Sequence, residues 1–323
     1  METRTIAIED LPLRIRQAGR GPLVLLIHGF PDLSLGWHHQ IAALAQAGYH
    51  AVAPDMRGYG GTGGPPEAEA YSIFSMVGDL VALVEALGYR QAVVVGHDWG
   101  SAVAWHCALL RPDMFHAVMG MSVPFQPRRK QGPPTKAMRY LAQKNGEDPL
   151  YIVGFAEPDS HLALDADPQT ALRKIFWAFD GATAAIYQAT GRLSPASTLV
   201  ATIPDEAVLP PWMDQESFAQ YVTAFRQTGF ERALHWYREI DTNWAQTRWL
   251  QGRRVTVPSA FLVGEHDPVR RFAGHFEETL GDWLSDLHAV TVVPDAGHWV
   301  QQEKPQAVTE AILAFLWELS LKD

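Results

Sequence analysis

The sequence predicts an α/β fold: a mostly parallel sheet flanked by helices, with a helical lid inserted into the chain. Three observations point there. Short β-branched runs alternate with helical patterns up to about residue 123, an aromatic-rich helical stretch follows, and strand-like runs then return. Alternation of this kind builds parallel strands joined by helices that cover both faces of the sheet.

Leu23-Val24-Leu25-Leu26-Ile27 is a continuous apolar run stopped by His28-Gly29, as a strand buried on both faces requires. Ala51-Val52-Ala53 before Pro54-Asp55, Ala92 to Val95, and Ala117 to Val123 share that character. Tyr71 to Leu87 and Ser101 to Leu110 carry apolar residues at helical spacing and supply the connections. Pro124, Pro127, Pro133 and Pro134 mark the entry to the lid, which shows no convincing buried strand as far as Trp244. Strands resume at Ser259 to Val263 and Ala289 to Val293, and an amphipathic helix from Pro305 to Leu319 closes the chain. The expected organisation is a core domain of residues 1–124 and 245–323 around a helical cap domain of residues 125–244.

The 323 residues suffice for one large domain carrying such an insertion, and 47% hydrophobic with 19% charged content is that of an ordinary globular protein. A net charge of -10 argues against nucleic acid as a partner, since phosphate binding needs clustered Lys and Arg. The one basic run, Arg128-Arg129-Lys130, sits in a Pro-rich connector and reads as a solvated loop. Cys107 is the only cysteine, which excludes an internal disulfide and a cysteine-based metal cluster. The first residues carry charges where a signal peptide is apolar, and no apolar run approaches the roughly 20 residues that span a bilayer. A cytoplasmic protein, monomer or homodimer, with no membrane partner is the expectation. The run from Gly58 to Gly64 lacks the Gly-Lys-[Ser/Thr] ending of a phosphate-binding loop and reads as a structural loop.

Reactive groups of an open parallel sheet collect beyond the carboxyl ends of its strands. Asp98, Asp267 and His298 each follow a strand there, in the order nucleophile, acid, histidine. Asp98 occupies the middle of Gly96-His97-Asp98-Trp99-Gly100, a strand-to-helix bend whose flanking glycines relieve crowding around a strained central residue. The bend sets the Trp99 N–H at a helix start, and Phe30, after His28-Gly29, can give a second N–H, so the pair forms an expected oxyanion hole.

A carboxylate at this bend is already ionised at pH 7 and can attack a saturated carbon to form an alkyl ester. His298 then deprotonates a water that attacks the ester, a role suited to its ordinary pKa near 6.5, while Asp267 orients the ring. Glu265, two residues earlier, is a rival for that orienting role. A halide leaves with the help of N–H donors alone, and Trp99 could supply one. An epoxide oxygen needs a proton donor, for which a lid tyrosine, protonated at pH 7, is suited.

Five motifs in order, His28-Gly29-Phe30-Pro31, Asp55-Met56-Arg57-Gly58-Tyr59-Gly60, Gly96 to Gly100, Trp236-Tyr237-Arg238 and Gly297-His298-Trp299, resemble those of soluble epoxide hydrolases of the α/β-hydrolase superfamily. The resemblance runs from about residue 20 to the last helix. It implies an α/β-hydrolase fold, an epoxide and water as reactants, no cofactor or metal, and two lid tyrosines that protonate the epoxide oxygen. Tyr237 matches one of them; Tyr151, ahead of Phe155-Ala156-Glu157-Pro158, matches the other. Substrate contacts are then expected from Phe30, Trp99, Tyr151, Phe155 and Tyr237. Ser101 stands where a second glycine is common. A dehalogenase using the same Asp98, and a binding protein that has lost turnover, stay open as alternatives. His28 and His97 are expected to support loops; His38, His39, His106 and His235 lack partners at metal-ligand spacing. Other lid aromatics, Trp177, Phe179, Trp212, Phe218 and Phe225, are expected to divide between core and an apolar pocket.

Overall fold

Leu23–Ile27 (β3) is apolar and buried at every position, so it must lie inside a sheet with material on both faces. The computed structural model, which describes residues 1–9, 11–130, 132–146, 148–183, 196–273 and 276–320, shows that sheet. Its other strands are Glu2–Ile8 (β1), Leu11–Ala18 (β2), His50–Pro54 (β4), Ala92–His97 (β5), Phe115–Met121 (β6), Val255–Gly264 (β7) and Leu284–Val293 (β8). They lie in the order β1-β2-β4-β3-β5-β6-β7-β8. β1 and β2 run antiparallel to each other and β2 to β4, whereas every pair from β4 to β8 is parallel.

Successive residues of β3 feed different cores, as the period of two demands. Val24 and Leu26 join a cluster with Ile41 of helix α1 (His38–Gln46) and with Ile312 and Phe315 of the closing helix Pro305–Ser320. Leu25 and Ile27 face Met76 and Leu80 of α2 (Ile73–Ala86) and Val103 and Trp105 of α3 (Trp99–Leu110). α2 starts where Ser72 Oγ accepts the Ser75 N–H at 3.2 Å.

Between β6 and β7 the described residues form helices only: α4 (Pro134–Asn145), α5 (Tyr151–Phe155), α6 (Leu162–Asp165), α7 (Pro168–Ala178), and then Ala196–Thr202, Gln215–Thr228, Glu231–Arg238 and Ile240–Gln246, with a 3-10 turn at Arg248–Leu250. Among the described residues no helix is long and apolar enough to cross a membrane.

The β1–β2 hairpin was not among the expected elements. Leu11, Leu13 and Ile15 are buried while Pro12 between them is exposed and Arg14 and Arg16 are partly exposed, so these strands lack the continuous apolar run of the central ones. β7 and β8 begin earlier than expected for the same reason. β6 ends two residues early, because Ser122 turns to a φ of 68°.

The loop from Gly58 to Gly64 is structural, and its anchor is the buried Asp55. Asp55 Oδ1 accepts from Ser34 N–H (3.0 Å) and Ser34 Oγ (2.6 Å), and Oδ2 accepts from Gly61 N–H (3.0 Å) and Arg14 (3.4 Å). Asp55→Ala strands these donors in the interior and should cost about 2–4 kcal/mol of stability, read by urea unfolding.

Candidate active site

β5 ends at His97 and α3 begins at Trp99, leaving Asp98 alone at the bend with φ 54° and ψ -122°. The bend is tight enough to exclude side chains on either side. A Cβ on Gly96 would sit 2.0 Å from Gly100 O, and one on Gly100 would sit 2.2 Å from Ile27 O. The Asp98 side chain does not cap α3. Its Oδ1 accepts the Phe30 N–H at 2.9 Å, while Oδ2 faces His298 Nε2 at 3.7 Å. Burial pushes the Asp98 pKa above the usual carboxylate range; the His298 charge and the amides of Phe30 and Trp99 pull it back.

The strands' carboxyl ends meet in register, with Gly96 beside Gly120, Met121 beside Leu262 and Gly264 beside Val293. That alignment gathers Asp98, Ser122, Asp267 and His298 from four different loops. His298 Nδ1 lies 3.2 and 3.3 Å from the two Asp267 oxygens and 3.0 Å from Ser122 Oγ. Asp267 also accepts the Val269 N–H at 2.9 Å. Its rival Glu265 is exposed and accepts the Asp295 N–H at 3.2 Å, so the orienting acid beside the ring is Asp267.

Burial opposes a charge on His298, yet Asp267 first and Asp98 after it hold its pKa up at about 9. This departs from the ordinary value expected from sequence. In the resting site the imidazole is protonated at pH 7 and forms an ion pair with two carboxylates. Asp267 pays for its burial through the same pair: desolvation raises its pKa, but His298, Ser122 and the Val269 amide bring it below the ordinary value.

Asp98 and His298 open onto one cavity lined also by Phe30, Tyr151, Phe155, Phe179, Tyr237 and Trp299. Tyr151 and Tyr237 are buried, and both phenols are pushed upward, first by burial and next by the Asp98 charge. They are neutral donors. Phe30, Phe155 and Tyr237 pack edge to face at centroid distances of 5.1–5.5 Å, fixing the tyrosine ring against the loop that carries Phe30.

Full-length comparison decides the family. Residues 22–305 match the model of the alpha/beta hydrolase fold. Epoxide hydrolase A of Mycobacterium tuberculosis is 41% identical over 99% of this chain and 98% of its own length. Epoxide hydrolase 3 of Siraitia grosvenorii is 36% identical over 98% of both. Among solved structures, Epoxide Hydrolase A from Mycobacterium thermoresistibile aligns with a TM-score of 0.89 at 40% identity over 98% of each chain. An epoxide hydrolase from an endophytic Streptomyces aligns with a TM-score of 0.93 at 33% identity, over 99% of this chain and 96% of that one. This chain belongs to the epoxide hydrolases of the α/β-hydrolase superfamily.

The epoxide hydrolase site departs from expectation at Trp99. Its amide serves Asp98, but its indole is not part of the cavity wall: the ring packs edge-on against Trp236 (6.1 Å) and Tyr237 (5.1 Å). Trp99 opens α3, and its side chain packs on Tyr237 and hydrogen-bonds that phenol, which offsets part of the upward push on its pKa. Of the other aromatics, Phe155 and Phe179 reach the cavity; Phe218 and Phe225 are core, and the Trp212 indole donates to Asp180 at 2.9 Å. Ile175 and Leu199 complete the lining.

Ser122 is the site residue that motif reading passed over. The available signal was its place at the carboxyl end of β6, beside the strand that leads to Asp267. Ser101 lies off the site, donating to Val123 O at 2.6 Å. His28 and His97 support loops: His28 Nε2 accepts the Met56 N–H (2.9 Å), and His97 Nε2 donates to His298 O (2.7 Å). Burial keeps His97 neutral, with a pKa near 3. Glu265, His266 and Asp295 bring ligand atoms within 4.8 Å of one another, though outside the cavity lining.

The two-carboxylate arrangement makes a titration testable. By nuclear magnetic resonance the His298 pKa should lie near 9 in the resting enzyme and fall in Asp98→Asn, which removes one of the anions holding its proton.

Proposed function

We propose that this enzyme converts an apolar epoxide to a vicinal diol through a covalent Asp98 ester. The observation that carries the reading is one cavity shared by a carboxylate oxygen, a protonated histidine and two neutral phenols. Its remaining walls, Phe30, Phe155, Ile175, Phe179, Leu199 and Trp299, favour an apolar reactant.

Asp98 Oδ2 attacks a ring carbon, and the carbon–oxygen bond of the ring breaks. Tyr237 or Tyr151 gives the departing oxygen its proton. That oxygen is more basic than an ordinary phenolate, and the neutral phenols carry the proton it needs. Esterification removes the Asp98 charge, and one of the anions that hold the His298 proton is gone. The proton returns to the tyrosinate and leaves His298 neutral. Neutral His298 Nε2 then takes a proton from water, whose oxygen attacks Asp98 Cγ. The Phe30 amide already touches Oδ1, and with the Trp99 amide it stabilises the oxyanion formed there. Collapse breaks the Cγ–Oδ2 bond: His298 gives its proton to the departing alkoxide and takes the one left on the new Asp98 carboxyl, so the diol leaves with the former Oδ2 in its second hydroxyl and the resting ion pair returns.

A dehalogenase would need N–H donors facing the leaving group. The Trp99 indole is engaged with Tyr237, and the Trp299 N–H is taken by Phe176 O at 3.2 Å. Two phenols at the reacting centre favour the epoxide. In this reading residues 125–244 act as the cap that carries both phenols, over a core of 1–124 and 245–323. The helix Ile240–Gln246 straddles the second boundary, so the core resumes after it.

Two variants test the steps separately. His298→Gln should form the ester and stall, so mass spectrometry finds the substrate mass retained on the protein; normal turnover would remove His298 from its role. Tyr237→Phe should slow ring opening by about 10²–10⁴-fold, the usual loss for a general acid, measured as single-turnover alkylation.

A further inference from the structure

His298 owes its position to its backbone as much as to Asp267. Its N–H donates to Phe179 O at 2.9 Å, and its carbonyl accepts from His97 at 2.7 Å. The amides on either side of it, Gly297 N–H (2.8 Å) and Trp299 N–H (3.0 Å), donate to the two carboxylate oxygens of Glu303. One of those oxygens, Oε2, also accepts the Gly181 N–H of the cap at 3.0 Å. Glu303 therefore touches three backbone amides, two of the histidine loop and one of the cap.

The cap side of this junction is the turn that follows α7, and it meets the histidine loop backbone to backbone. The Trp299 indole donates to Phe176 O, so three cap positions, 176, 179 and 181, are bonded to residues 298, 299 and 303. No side chain fits between the two segments. A Cβ on Gly181 would lie 2.7 Å from Gly297 N, and one on Gly297 would lie 2.4 Å from Gly181 N. Phe179 extends the junction into the cavity, packing on His298 at 5.6 Å and on Tyr151 at 5.7 Å.

We propose that Glu303 is a positioning residue that makes alignment of the water-activating histidine depend on docking of the cap turn 179–181. The inference rests on the reading of His298 as the base. Asp98 needs no help from this junction to attack, because its oxygens are set by the bend and by Phe30. Ester hydrolysis does need it, since the imidazole must hold Nε2 toward the water and Asp98 Cγ. Glu303 never contacts the reactant. A carboxylate suits the position because it accepts all three N–H groups, whereas an amide must turn a donor toward at least one of them.

The test is stopped-flow and steady-state kinetics on the full-length enzyme with a styrene-type epoxide, comparing wild type, Glu303→Gln and Gly181→Ala, with His298→Gln as reference. Glu303→Gln should lower kcat by about 10- to 100-fold while kcat/KM is largely kept, because hydrolysis of the ester slows and alkylation does not. Mass spectrometry should then find the ester accumulating during turnover. Gly181→Ala keeps the Glu303 side chain but pushes the cap turn off the loop, since its Cβ would lie 2.7 Å from Gly297 N and 2.9 Å from Glu303 Oε2; it should give the same pattern, and it decides the matter if Glu303→Gln fails to fold. Parallel falls in kcat and kcat/KM, or no change in either, would overturn the coupling. Failure of His298→Gln to trap any ester would instead sink the underlying mechanism, so the two failures are distinguishable.

Discussion

Everything at this site depends on keeping one buried carboxylate charged and available to the cavity. Burial works against the Asp98 anion, and the fold answers with two backbone amides and an imidazolium. The strained bend is part of that answer. It places Oδ1 on the Phe30 amide and leaves Oδ2 for the reactant, which is possible only with glycine at 96 and 100. The surrounding sheet supplies the rest by register: parallel strands ending level bring loops distant in sequence to one edge.

Charge balance links the two halves of the reaction. The resting site holds two carboxylates and one imidazolium; ester formation consumes one carboxylate charge as a phenolate appears. A histidine held near pKa 9 would be a poor base at neutral pH; in the proposed reaction, esterification of Asp98 removes one of the charges that hold it there. The raised phenol pKa values fit the same scheme. Burial beside Asp98 prevents Tyr151 and Tyr237 from ionising in the resting enzyme, so their protons are present when an alkoxide forms.

The parts legible in the sequence were those with sharp local constraints. The glycine-flanked Asp98, the apolar run of β3 and the chain order of Asp98, Asp267 and His298 each read directly. Both tyrosines came through motif resemblance, and the structure brings them to the cavity wall. Less legible were features that exist only in three dimensions. The β1–β2 hairpin has one solvated face and so no strong pattern. Trp99 sits next to the nucleophile in sequence, yet it does not line the cavity itself: its ring packs on Trp236 and Tyr237 and supports that phenol. The His298 pKa depends on anions distant in sequence, Asp267 first and then Asp98, with a further contribution from Glu303, and Ser122 joins the site only through strand register.

The account turns on whether a carbon–oxygen bond to Asp98 forms and is then cut at the carboxyl carbon. One turnover with excess enzyme in heavy-oxygen water reads this directly. The account predicts a first diol without label and one heavy oxygen in the Asp98 carboxylate, found by mass spectrometry of the peptide that contains it. Label entering the first diol, with Asp98 unchanged, would mean that water attacks the ring itself and would contradict the account.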